Sequence, residues 1–263
     1  MPCFTLRLCI NNAVKMNFTI LRFDTINSTN TEALNQARLG ADEGLCVVAR
    51  RQTAGRGRHG RVWISEADAG LYFSIVLRPK IQMRILPLLT LMTAIAVHDT
   101  LEETCNLDCD IKWANDIHVR DKKICGILAE TAETTNGLAV VVGIGINLKS
   151  SNFPPEIAGI ATSVEAETGR KINSDELLEA LTRFLGYHYE ILREAGGAEK
   201  IRREWTRRSS YADGKNVRVF LENETFCGTT DGIEENGALR VRTGTGETRI
   251  IQAGDVEKLR REN

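Results

Sequence analysis

Gln52-Thr53-Ala54-Gly55-Arg56-Gly57-Arg58-His59-Gly60-Arg61-Val62-Trp63 is the stretch on which the fold of this chain is decided. Its glycines formally match G-x-G-x-x-G. That spacing marks a dinucleotide-binding turn only where a strand precedes it and a helix opens at its end. Leu45 to Arg50 is apolar enough for the strand, but Val62-Trp63-Ile64 and the run after Gly70 do not begin a helix. Val62 also completes a kinase-type glycine loop, yet the sequence has no V-A-I-K lysine, H-R-D loop, D-F-G triplet or Walker lysine. What remains is physical. Glycines let a backbone approach a ligand closely, and Arg56, Arg58 and Arg61 offer guanidinium forks for phosphate or carboxylate oxygens. Three like charges so close repel one another, so the empty loop is expected to be mobile and to order on an anion. The plain alternative is a solvated basic turn.

Working outward, residues 18–23 read as a strand, followed by a short helix to about Leu39 with Gly40 closing it. Thr29 and Glu32 have capping-box spacing at its start. Leu45–Arg50 and Leu71–Leu77 read as strands, and Ile85–Glu103 as a long helix with Leu89, Met92, Ile95, Ala96 and Leu101 on its core face. Strand pieces follow at 111–113, 117–119 and 124–130. The strongly apolar run 138–148 is a further strand, whose Gly143 and Gly145 imply close approach by a ligand or another backbone. Ser174–Arg193 and Ala198–Arg208 read as helices. From Asp213 onward short β pieces alternate with Asn-Glu, Glu-Asn-Gly and Gly-Thr-Gly-Glu turns, so a small all-β module begins near 209–214.

The 263 residues carry 34 Lys and Arg against 35 Asp and Glu, so any basic site is local and no overall nucleic-acid footprint exists. Seven cysteines (3, 9, 46, 105, 109, 125 and 227) form no C-x-x-C pair. Cys105 and Cys109 lack neighbours to finish a zinc site, which leaves reduced thiols in a cytoplasmic protein as the expectation. No apolar run is long enough to span a bilayer. Residues 1–17 read as an extension of unknown status, with Met16 an alternative start.

The string from Gln52 to Trp63 closely resembles the biotin-binding loop of biotin protein ligases. Asn27-Ser28-Thr29-Asn30 resembles that family's Ser-Thr-Asn segment, and Lys112-Trp113-Ala114-Asn115-Asp116 its Lys-Trp-Pro-Asn-Asp motif, with Ala114 where proline is usual. Lys123-Ile124-Cys125-Gly126-Ile127-Leu128 resembles its Lys-x-x-Gly-Ile-Leu segment, and Gly143 to Asn147 its Gly-x-Gly-Ile-Asn strand. The likeness runs over residues 18–261. It implies an α+β fold, a mixed β-sheet with helices like that of class II aminoacyl-tRNA synthetases and biotin ligases, plus a C-terminal SH3-like barrel. The implied organisation is an extension over 1–17, a catalytic domain over 18–210 and the barrel over 213–263.

The resemblance also implies the chemistry. Biotin's carboxylate attacks the α-phosphate of ATP, with Mg²⁺ on the phosphates, and a carrier lysine then takes biotin from the adenylate. Ser28, Thr29, Asn30, Gln52, Gly55, Arg56, Gly57, Arg58, Lys123 and Gly126 are implied on biotin. Arg56, Arg61, Trp63, Lys112, Asn115 and Asn147 are implied on ATP. Lys123, Arg58 and Asp116 are implied as catalytic: Lys123 between biotin carboxylate and α-phosphate, Asp116 near the incoming lysine. Without the family pattern, Ser28–Asn30 would be a plain helix cap, Lys123 a solvated hairpin residue and Trp63 ordinary core. The implied partner is the biotin carboxyl carrier protein of acetyl-CoA carboxylase or a related carboxylase. Neither DNA nor membrane is expected as a partner, and homodimerisation by sheet extension through Val140–Ile146 is possible by analogy. A lipoate or octanoate ligase shares the adenylate logic and is the first rival. A DNA-binding regulator is the second, and it would need a helix-turn-helix module for which few residues precede Phe18.

Overall fold

The computed structural model describes residues 4–6, 16–149, 153–252 and 254–258. Most of the expected extension over 1–17, with Cys3 and Cys9, lies outside them. Eight strands form one sheet: β1 (Phe4–Leu6), β2 (Phe18–Ile26), β3 (Leu45–Gln52), β4 (Gly70–Leu77), β5 (Asp110–Lys112), β6 (Asp116–Val119), β7 (Lys122–Thr134) and β8 (Gly137–Asn147). Their order is β1-β2-β3-β4-β8-β7-β6-β5. Among the described strands only β2 and β3 run parallel, because helix α1 (Thr29–Arg38) crosses between them. Every residue of β4 is buried, as its uninterrupted apolar run predicts for a strand covered on both faces.

The helices divide between the faces. Ala33, Leu34 and Ala37 of α1 pack with Val47, Val76, Ala139 and Val141 on one side. The other side carries α2 (Leu88–Cys105), and on it lie α5 (Ser174–Arg193) and α6 (Gly197–Arg208), after two short helices, α3 (Pro155–Ala158) and α4 (Val164–Thr168). The predicted core residues of α2 are all buried, but so are Leu88, Leu91, Thr93, Ala94, Val97 and Thr100. A helix enclosed between a sheet and two other helices is buried over most of its surface, with Glu102 and Glu103 near its end exposed, so the sequence-level stripe understates its burial.

Three expectations need correction. Ser28, not Thr29, caps α1: its hydroxyl accepts from Thr31 N while its backbone is extended. The long helix begins at Leu88 and not Ile85, because Met83–Ile85 is a separate 3₁₀ turn and Pro87 stands at the cap. The Val140–Ile146 run cannot extend a sheet into a second copy, since β8 is hydrogen-bonded to β4 on one side and β7 on the other.

The last five strands, β9 (Asp213–Phe220), β10 (Thr225–Ile233), β11 (Leu239–Thr243), β12 (Thr248–Ile251) and β13 (Asp255–Lys258), form a separate antiparallel sheet ordered β12-β11-β10-β9-β13. Val217, Val219, Leu239, Val241, Ile251 and Val256 fill its interior, consistent with the expected SH3-like barrel. It is seated on the larger unit by Trp113, whose Nε1 donates to Gly237 O at 2.9 Å. Among the described residues no helix is long and apolar enough to cross a membrane.

Candidate active site

A cavity of about 680 Å³ opens beside β7 and β8, and the sequence motifs converge on it. One wall is the N-terminus of α1. Gln52 Oε1 accepts from Thr29 N at 2.8 Å and from Thr29 Oγ1 at 3.1 Å, while Gln52 Nε2 donates to Ser65 Oγ at 2.8 Å. Ser74, the lone polar residue in the apolar β4 run, donates to Asn30 Oδ1 at 2.6 Å. Asn30 Nδ2 donates to Leu128 O at 3.2 Å and Glu130 Oε2 at 2.8 Å. Both N–H groups of the Asn30 amide and one lone pair of its oxygen are thus used within the protein.

The floor is made of glycines, and here the sequence expectation shifts. A Cβ on Gly143 would lie 2.1 Å from Asn30 Oδ1, and one on Gly145 would lie 2.4 Å from the Trp63 indole. Two side chains of the same chain, Asn30 and Trp63, lie against these glycines, which also line the cavity. Gly126 gives way to Trp63 in the same manner, at 2.9 Å.

The arginine loop is folded. Gly57 N donates to Arg61 O at 2.7 Å and Trp63 N to Gly55 O at 2.9 Å, with His59 and Gly60 turning through φ of 54° and 72°. Gly55 lies so close to its own chain that a Cβ would sit 2.3 Å from Trp63 O. The three arginines do not share one place. Arg56 pairs with Glu130 at 2.8 Å, Arg58 Nη1 donates to Asn115 Oδ1 at 2.8 Å, and Arg61 pairs with Asp255 of β13. Their mutual repulsion is relieved by pointing them at three partners, which the sequence could not reveal: Glu130 is 74 residues from Arg56 and Asp255 is 194 from Arg61.

The opposite wall depends on a bulge. β6 pairs Asp116 with Gly126 and Ile117 with Cys125, and then His118 with Lys123, so β7 contributes one extra residue, Ile124. Cross-strand partners share a face, so Gly126 and Lys123 both face the cavity although they are three residues apart. Strict alternation would have opposed them. Lys112 joins the same face opposite Asp116. Lys123 Nζ lies 2.7 Å from Asp116 Oδ1 as a charge contact lacking an aligned hydrogen bond, and 5.4 Å from the Trp63 ring centre. Lys123 is therefore no solvated hairpin residue.

Asn115 is clamped by Nδ2 donating to Ile127 O at 2.9 Å and O accepting from Ile127 N at 2.9 Å. The peptide bond between Trp113 and Ala114 is cis. Asn147 lines the cavity, but its Nδ2 donates to Thr162 O at 3.0 Å and to Lys123 O at 3.5 Å. It ties the 160–162 segment to the backbone of Lys123. Residues the motifs did not flag also line the space: His118, Phe153, Ile157, Ile160 and Tyr211. Burial, with Lys112 second, lowers the His118 imidazole to about 4, and burial pushes the Tyr211 phenol up. Polar residues inside apolar strands, Ser74 and His118, were the available signals.

Two family models match the chain. Residues 22–147 match the Biotin/lipoate A/B protein ligase family, and residues 214–259 match the Biotin protein ligase C terminal domain. The bifunctional ligase/repressor BirA of Bacillus subtilis is 38% identical over 243 residues, which is 90% of this chain and 73% of the relative. This chain belongs to the biotin protein ligase family. The biotin acetyl-CoA-carboxylase ligase of Paracoccus denitrificans is 33% identical over 238 residues, 88% of this chain and 96% of that one. Among solved structures, the biotin protein ligase of Aquifex aeolicus in complex with biotin and ATP superposes with a TM-score of 0.80 at 29% identity, covering 92% of this chain and 98% of that one. The biotin protein ligase family thus accounts for both the eight-stranded sheet and the small C-terminal one.

Proposed function

We propose that this chain is an ATP-dependent biotin protein ligase that forms biotinyl-5′-AMP from biotin and ATP, then transfers biotin to a lysine of a biotin carboxyl carrier protein such as that of acetyl-CoA carboxylase. The observation that carries this reading is convergence: the hydrogen-bonded start of α1, the arginine loop and Lys123 all border one cavity. The proposed division places the catalytic unit over 18–210 and the barrel over 213–263, and the site belongs mainly to the first.

In the first half-reaction two anions meet, so the work is neutralisation and alignment. Biotin's carboxylate competes with Asp116 for Lys123, and the loop arginines exchange Glu130 and Asn115 for substrate oxygens. Mg²⁺ arrives with ATP as part of the substrate. Ser28, Thr29, Gln52, Gly55, Gly57 and Gly126 shape the biotin end. Asn30 and Asn147 act through the groups they hold. Trp63, Lys112, Asn115 and Arg61 border the nucleotide. Asp116, once released by Lys123, is available to the incoming amine.

Calorimetric titration with biotin and with lipoate, followed by pyrophosphate release on adding ATP and Mg²⁺, tests this. Biotin is expected to bind and lipoate not, and release is expected to require biotin. Binding of lipoate alone would transfer the site to the sister activity. The enzyme is further proposed to work in the cytoplasm and without DNA. Arg50 is already paired with Asp24 and Asp68, and the 34 Lys and Arg of the chain are matched by 35 Asp and Glu, which supports the expectation that duplex DNA is not bound. No shift of random duplex DNA in a gel is expected.

A further inference from the structure

His118 has no part in the chemistry above, yet it stands among the groups that do. Two residues beyond Asp116 on β6, it projects to the same face, and the bulge at Ile124 sets it directly opposite Lys123. Asp110 of β5 is its partner on the other side. The ring lines the cavity, and its Nε2 is enclosed with no hydrogen-bond partner among the described residues. A buried imidazole atom left without a partner costs free energy, and His118 stands two residues from Asp116, a carboxylate already committed to Lys123.

We propose that His118 is the proton acceptor of the transfer half-reaction, taking an N–H proton from the carrier lysine as its amine adds to the acyl carbon of biotinyl-AMP. This rests on the functional reading above. The neutral amine's lone pair forms the N–C bond, and the nitrogen, now positively charged, becomes acidic. Its proton passes to the imidazole, the C–O bond to phosphate breaks, and that electron pair leaves with AMP. The imidazolium then returns its proton to water. A weak base suffices, since the proton becomes acidic only as the bond forms.

The charged surroundings match this timing. Burial first, then Lys112 and Lys123, lower the imidazole to about 4, against Asp116 and Asp110, which raise it. Asp121, Tyr211 and Glu257 border the same cavity. An adenylate phosphate beside the two lysines offsets their share of the lowering, so His118 becomes more basic when the intermediate is present and the base is needed.

The test uses the full chain loaded with biotinyl-AMP from biotin, ATP and Mg²⁺, freed of excess substrate and mixed with a biotin carboxyl carrier domain or, separately, Nα-acetyl-lysine amide. Transfer by His118→Gln is expected to fall by roughly a hundredfold in alkaline solution, at least tenfold more than adenylate formation falls. The ratio of wild type to variant cancels the titration of the amine itself. It is expected to shrink as pH drops through the imidazole's range, between about 4 and the ordinary 6.5, and added imidazole should partly restore His118→Ala. A ratio independent of pH, or equal slowing of both half-reactions, overturns the proposal. Should His118→Gln not fold, His118→Asn is read by the same two criteria. Failure of wild type to make any adenylate would instead overturn the functional reading, and this inference with it.

Discussion

At the scale of single residues, the site is governed by what each polar group is already bonded to. Lys123 is held by Asp116 at 2.7 Å and turned into the cavity by the bulge at Ile124. Lys123→Ala is expected to slow adenylate formation by at least about a hundredfold, the loss typical for one preorganised charge donor; near-normal pyrophosphate release would remove Lys123 from this role. Gly143 tests the floor. A methyl there meets Asn30 Oδ1 and must shift the amide, whose Oδ1 accepts from Ser74 and whose Nδ2 donates to Glu130. Gly143→Ala is expected to cost about 1–3 kcal/mol of stability, as overpacking does, and to weaken biotin binding. Urea unfolding and calorimetry read the two effects, and unchanged values for both would mean that Asn30 moves freely. Lys123 and the motif glycines were visible in the sequence. Their orientation was not, because a one-residue bulge reverses the face on which everything beyond it lies.

At the scale of the element, the arginine loop acts as a strap tied at three points. Glu130 holds Arg56, Asn115 holds Arg58 and Asp255 holds Arg61. The two ion pairs are exposed or partly so and contribute only about 0–1 kcal/mol each, and the Arg58–Asn115 tie is a single hydrogen bond to a neutral amide. Substrate oxygens can therefore replace them at little cost. A strap closed over a reactive anhydride retains it and excludes water. Arg58→Gly is expected to release biotinyl-AMP early and to label unrelated proteins, measured as biotin on bystander protein in a mixture. Equal bystander labelling by wild type and variant would refute retention. Charge repulsion within the loop was legible in the sequence, and its relief was not, since all three partners are remote in the chain.

At the scale of the whole molecule, α2, α5 and α6 meet at Asp99. It accepts from His188 Nε2 at 2.8 Å, Arg208 Nε at 2.7 Å and His98 Nδ1 at 3.2 Å. Burial alone would raise its carboxyl, but the hydrogen bonds from His188, His98 and Arg208 outweigh that and hold it well below the usual carboxylate range. Asp99→Asn removes one of the two carboxylates that hold the enclosed Arg208, leaving Glu204 at 2.6 Å, and is expected to cost about 1–3 kcal/mol. The two perturbed groups act in different pH windows. The carboxyl is depressed by folding, so its contribution is whole above about pH 3.9 and is lost as pH falls towards the folded value. His118 is also depressed, but it is an imidazole, so the unfolded chain takes its proton first. Stability therefore declines as pH falls from 6.5 to about 4. Denaturation midpoints across pH should show the milder decline flattened by His118→Gln and only the more acid one flattened by Asp99→Asn. A single acid transition unaffected by either variant would contradict both assignments.

By itself the sequence determined the periodic elements, the apolar central strands and the small β module, because these follow from local side-chain pattern. It also specified the family, because the loop and the lysine hairpin are contiguous strings. Tertiary structure alone decided that Asn30 and Trp63 lie against the glycine floor, that Lys123 and Gly126 face one way, and that the arginines diverge to Glu130, Asn115 and Asp255. Each of these depends on strand register and on partners distant in the chain. Such relations are set by packing, which no window of neighbouring residues contains.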